Sequence, residues 1–176
     1  MRTPLIIVLV GMPGSGKSTF GKLLARQLNF VFIDLDEAIE AGENKSIKDI
    51  FMDHGEGRFR ELETAYLKKV LRSAEGFVLS TGGGTPCFND NMELINERAV
   101  SVYLEVSCEE LLKRLSKDQT GKRPMFAGMD NGEIILKLKN IFAQREQYYI
   151  KSKIKLSGDD ISTELLISEL MTFFRN

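Results

Sequence analysis

Histidine and cysteine are nearly absent from this sequence. Its 176 residues include one histidine, His54, and two cysteines, Cys87 and Cys108. No zinc site with the usual Cys/His spacing can be assembled from them. Two isolated cysteines give no disulfide framework and fit a reducing compartment. A Ser-His-Asp site would have to use His54, and no Gly-x-Ser-x-Gly elbow supplies its nucleophile. An excess of one charge is missing too: 24 Lys and Arg stand against 25 Asp and Glu. That balance suggests neither a nucleic-acid binder nor a polybasic membrane surface. Long hydrophobic runs are also lacking. The run at 5–10 is too short for a signal segment and has no small-residue cleavage pattern after it, so it reads as a buried strand. The expected location is the cytoplasm.

What the chain does contain is an alternation of strand and helix. Strands are expected at 5–10, 30–34, 77–80, 100–105 and 153–156. The clearest helices fall at 17–28, 57–73, 109–115, 133–151 and 162–174. Such βαβ order predicts one α/β domain over residues 1–176, a five-stranded parallel sheet with helices on both faces. The polar stretch 116–132, with Gly121, Gly128 and Gly132, reads as a surface loop or a mobile lid.

Gly11-Met12-Pro13-Gly14-Ser15-Gly16-Lys17-Ser18 follows the first strand and opens the first helix. Its glycines let several backbone amides converge on one anion at a helix N-terminus. Lys17 offers a point charge for the β- and γ-phosphates, and the Ser18 hydroxyl a ligand for Mg²⁺. The motif specifies a nucleoside triphosphate and little more.

A second magnesium anchor is expected at another strand end. The third strand ends in Ser80-Thr81 without an acid, whereas the second carries Asp34 and Asp36. If that strand stays extended, both carboxylates point into the crevice. The alternative is that one of them caps a helix starting at Glu37. Arg145 lies on the apolar stripe of its helix with Ile134, Leu138, Ile141 and Phe142, and Arg60 has Glu63 three residues on to hold it. Each could be a structural ion pair. With Gly83 and Gly84, which permit close approach of the backbone to a ligand, they suggest a pocket for a small hydroxylated acid. Arg123 precedes Pro124 in the presumptive lid, where it is either a solvated loop residue or a charge delivered to the transferring phosphoryl group.

Taken together, the phosphate loop, Asp34-x-Asp36, Phe59-Arg60 with Glu63, Thr81-Gly82-Gly83-Gly84, Arg123-Pro124 and Arg145 followed by Tyr148 resemble the shikimate kinase family. The resemblance spans nearly the whole chain and implies a P-loop NTPase-type three-layer sandwich with an adenylate-kinase-like fold. It implies ATP-dependent phosphorylation of the shikimate 3-hydroxyl, on the way to chorismate and the aromatic amino acids. Asp36, Arg60, Gly83, Gly84 and Arg145 would then bind shikimate, with the acceptor helices within about residues 36–74. Gly14, Ser15, Gly16, Lys17, Ser18, Thr19, Arg114 and Arg123 would bind ATP. Lys17, Asp36 and Arg123 would be catalytic. Ser18, and Asp34 through water, would hold Mg²⁺. The loop at 156–161 lacks the arginine or proline that the family often carries beside the adenine. ATP and shikimate are the expected partners of a monomer, with no nucleic acid and no membrane. Rival readings are another small-molecule kinase, such as one acting on gluconate, and a nucleotide-binding regulatory protein.

Overall fold

A computed structural model describes residues 5–117, 126, 128–158 and 161–175. Its centre is β1 (Ile6–Val10), whose five residues are all buried. Consecutive side chains of a strand point to opposite faces, and here both faces are covered. Ile6, Val8 and Val10 enter one core, and Ile7 and Leu9 enter another. β2 (Val31–Asp34), β3 (Phe77–Ser80), β4 (Val100–Glu105) and β5 (Ile154–Ser157) complete a parallel sheet in the order β2-β3-β1-β4-β5.

The helices divide between the two faces. α1 (Lys17–Leu28) and α7 (Thr163–Phe173) cover the Ile7/Leu9 face through Phe20, Leu24, Leu166 and Leu170. α2 (Leu35–Glu43), α3 (Ile47–Val70), α4 (Asn91–Arg98), α5 (Cys108–Lys117) and α6 (Asn131–Tyr149) supply the other face. This is the expected three-layer α/β sandwich.

Three details differ from the sequence reading. β2 stops at Asp34 and α2 starts at once, because the Asp34 side chain caps the new helix by accepting from the Asp36 N–H. The extended geometry assumed for Asp34 and Asp36 therefore does not exist. α3 begins ten residues before the expected helix and is kinked at Gly55, whose φ of 75° and ψ of 178° lie outside the helical region. Arg60 thus sits just past a kink in a long helix rather than at a helix start.

The proposed lid is also narrower than residues 116–132. α5 runs through Lys117 and α6 starts at Asn131, where Asp130 and Glu133 form a reciprocal capping box. Between these helices Phe126 is buried in the larger core. Arg123, with most of that segment, lies outside the described residues.

Candidate active site

The phosphate loop, Asp34, Asp36 and the glycine triplet lie at or just beyond the carboxyl edge of the sheet, where β1, β2 and β3 hand over to loops and helices. In the phosphate loop, Gly14 and Gly16 have φ of 92° and 94°, which a side chain would strain. Gly16 is also the N-cap of α1, so the positive end of that helix opens into the loop. The Lys17 ammonium folds back along the loop and donates to the carbonyls of Gly11, at 2.9 Å, and Met12, at 3.0 Å.

Outside the loop lies a cleft of about 430 Å³ lined by Gly14, Ser15, Gly16 and Thr19 on its polar side. Phe20, Leu23, Leu104 and Ile161 supply an apolar wall. Arg114 closes one side: its Nε donates to Glu110 at 3.0 Å and its Nη1 to the Ser15 carbonyl at 3.2 Å. The cleft therefore joins an anion cradle to an apolar slot with a planar cation at its rim. Residues 159 and 160, in the loop expected near the adenine, lie outside the described residues.

Beside the cradle, the Ser18 hydroxyl donates to Asp34 Oδ2 at 2.7 Å and lies 3.2 Å from the Ser80 hydroxyl. Asp34 Oδ1 accepts from the Asp36 N–H at 3.1 Å. Asp36 sits on the first turn of α2, and its buried Oδ1 has no hydrogen-bond partner among the described residues. Burial, reinforced by the charges of Asp34, Glu63 and Glu40 and opposed by Lys17, pushes its carboxyl up to about 7. That places a carboxyl close to neutrality next to a phosphate cradle.

The expected acid pocket adjoins Asp36. Arg60 Nη1 donates to Glu63 at 2.6 Å, while its Nε and Nη2 both reach Glu56 Oε1, at 3.1 and 2.8 Å. Phe88 lies over the same guanidinium, 4.4 Å from ring centroid to Cζ. Glu63 is buried and also accepts from the Thr85 hydroxyl. Arg145 is half-buried, and among the described residues it makes no ion pair with a carboxylate. Both arginines act electrostatically on one thiol, that of Cys87.

The glycine triplet runs through the middle of this group. A Cβ on Gly82 would fall 2.9 Å from Glu63 Oε1 and 3.2 Å from Asp36 Oδ1. One on Gly83 would fall 2.9 Å from Pro13 of the phosphate loop, and one on Gly84 would fall 2.6 Å from Arg60 Nη1. The structure brings Lys17, Ser18, Asp34, Asp36, Arg60, Gly83, Gly84 and Arg145 together, and it sets Arg114 at the neighbouring cleft.

Sequence reasoning passed over two members of this group. Ser80 is not an acid and offers no metal-anchor signal in the sequence, yet it pairs in register with Asp34 across adjacent parallel strands. Tyr149, not Tyr148, is the buried tyrosine of α6, and its hydroxyl donates to the Gly83 carbonyl. The spacing of Ile141, Arg145 and Tyr149, four residues apart on one face, carries that signal.

Comparison with known proteins agrees with this geometry. A family model described as shikimate kinase matches residues 13–175. A shikimate kinase from Sulfurihydrogenibium sp. is 40% identical over 166 residues, covering 94% of this chain and 95% of the relative. One from Parabacteroides distasonis is 40% identical, covering 90% of each chain. Among solved structures, shikimate kinase from Bacteroides thetaiotaomicron superposes with a TM-score of 0.89 at 34% identity, covering 98% of this chain and 99% of that one. Shikimate kinase from Acinetobacter baumannii, in complex with shikimate, gives 0.83 at 30% identity, with 98% and 93% covered. Matched along nearly all its length by the family model and by these relatives, the chain belongs to the shikimate kinase family.

Proposed function

We propose that the chain transfers the γ-phosphoryl group of ATP to the 3-hydroxyl of shikimate, forming shikimate 3-phosphate on the route to chorismate and the aromatic amino acids. One observation carries this reading: Arg60 lies against a glycine loop that packs directly on the phosphate loop. An acid clamped there presents its hydroxyls towards Asp36 and the nucleotide cradle, the proximity an in-line transfer requires.

The roles divide by location. The amides of Gly14, Ser15, Gly16, Lys17, Ser18 and Thr19 cradle the phosphates, and Lys17 leaves the Gly11 and Met12 carbonyls for the phosphoryl oxygens. Arg114 lies against the base. Arg60 and Arg145 hold the carboxylate, with Gly83 and Gly84 close against the ring. Asp36 orients the hydroxyl and takes its proton late, its raised affinity for a proton suiting that task. Arg123, assigned by motif alone, adds charge at the transferring group.

Mg²⁺ is the implied metal, and the donors present fit it. Ser18 and Asp34 form an oxygen-only pair 2.7 Å apart beside the phosphate cradle. Magnesium suits such a site, since it keeps several waters and takes the rest of its shell from few protein oxygens and the nucleotide. When bound it supplies charge neutralisation on the phosphate oxygens, with Ser18 as direct ligand and Asp34 holding its water.

A monomer suffices for this chemistry, because all the residues named come from one chain. No helix among the described residues is long and apolar enough to cross a membrane, which is consistent with a cytoplasmic enzyme. The deciding experiment measures ADP release with MgATP and, in parallel, shikimate, gluconate or a nucleoside monophosphate. A large rise with shikimate alone is expected. ATP binding with no response to any acceptor would overturn the reading and favour a regulatory nucleotide-binding protein.

A further inference from the structure

Tyr149 is fully buried at the end of α6, and its ring packs 5.3 Å from that of Tyr103 at a tilt of 32°. Its hydroxyl donates to the carbonyl of Gly83. Arg145 lies one turn earlier on the same face of α6, and its charge acts on the same phenol. Burial holds the phenol protonated far above neutral pH, so it remains a donor under all working conditions.

The peptide between Gly83 and Gly84 is planar and trans, so its C=O and N–H point in opposite directions. A hydroxyl that fixes the Gly83 oxygen therefore also aims the Gly84 N–H. Among the described residues that N–H has no acceptor. On its other flank Gly83 is wedged against Pro13, and Gly84 lies against the Arg60 guanidinium.

We propose that Tyr149 is a positioning residue for the acceptor: its hydroxyl locks the Gly83–Gly84 peptide and the Arg145 guanidinium into one fixed spacing. Through them it determines how well a rigid acid with hydroxyls fits, without touching the substrate. The inference rests on the shikimate kinase reading above.

Tyr149→Phe tests it, since the ring and its packing on Tyr103 are kept and only the oxygen is lost. The expected result is a KM for shikimate raised ~10-fold, with kcat within ~2-fold and the KM for ATP unchanged. The dissociation constant for shikimate, measured by calorimetry without nucleotide, should rise in parallel. The melting temperature should stay within ~3 °C of the wild type, because no packing is removed. In an Arg145→Ala background the same substitution should raise the shikimate KM by less than ~3-fold, because one of the two groups it aligns is gone.

An unchanged shikimate KM in Tyr149→Phe overturns the proposal. So does a parallel rise for both substrates with a lowered melting temperature, which would make the tyrosine merely structural. A full ~10-fold effect in the Arg145→Ala background also overturns it. Wild-type protein that binds ATP but ignores shikimate would instead overturn the underlying reading.

Discussion

Asp36 carries a carboxyl that burial holds well above its ordinary range. Its carboxyl titrates near 7 in the folded chain against 3.8 in the unfolded one. The folded state therefore binds the extra proton between these values, and stability falls as pH rises through that window. Above pH 7 the ionised carboxylate costs on the order of 4 kcal/mol. Asp36→Asn removes the charge at nearly constant shape. It should melt several degrees above the wild type at pH 8, with the gap shrinking by more than half at pH 5, while turnover falls at least ~100-fold. Thermal melts at the two pH values check this, and a gap independent of pH would contradict it.

The two remaining arginine roles separate kinetically. Arg145→Ala should raise the KM for shikimate ~100-fold with a smaller loss in kcat, as expected for a charge-assisted clamp. Arg123→Ala should mainly lower kcat. Equal, small effects of both on both constants would refute the division. At this scale the sequence was informative wherever a residue type was costly without a partner, as with Arg60, Arg145 and the paired aspartates. It was silent where a common residue gains its role from a neighbour across the fold. Ser80 is one case, beside Asp34 only because β2 and β3 pair in that register. Tyr149 is another, meeting Gly83 from 66 positions away.

Among the elements, α3 illustrates a local rule in tension with the whole. The expected helix begins at 57, yet α3 starts at Ile47 and continues on both sides of a kink at Gly55. The Gly55 backbone, at φ 75° and ψ 178°, is in a region that essentially only glycine occupies. A Cβ there would meet nothing within 4 Å, so Gly55→Ala tests backbone strain alone. It should cost ~1–3 kcal/mol and lower the melting temperature by several degrees. An unchanged melt would show that the kink relaxes without penalty. α4, by contrast, escaped sequence reading because its eight residues bury only Met92 and Ile95 among their apolar side chains, too short a stripe to establish a period. The five strands were legible to within one residue at either end, since their apolar runs answer directly to burial on one or both faces.

For the whole molecule, the sandwich sets the phosphate loop and the glycine triplet on the same edge of one sheet, where Pro13 lies against Gly83. Ligands that bind only the folded state stabilise it by mass action, by about 2.7 kcal/mol at a hundredfold excess over Kd. MgATP should therefore raise the melting temperature by several degrees, and excess EDTA should remove most of that gain if Ser18 and Asp34 need the metal to hold the phosphates. A gain untouched by EDTA would remove the metal from the site.

The glycine triplet has a further consequence, for anyone who wishes to redesign the enzyme. At three consecutive positions a methyl group would crowd a different neighbour: the Glu63 carboxylate, the Pro13 ring and the Arg60 guanidinium. Side chains added to that wall would displace Glu63, Pro13 or Arg60, so a change of acceptor preference made there also disturbs the clamp or the phosphate loop. The open side is the rim, where Phe88 is partly exposed and can be varied with the loss of its contact to the Arg60 guanidinium.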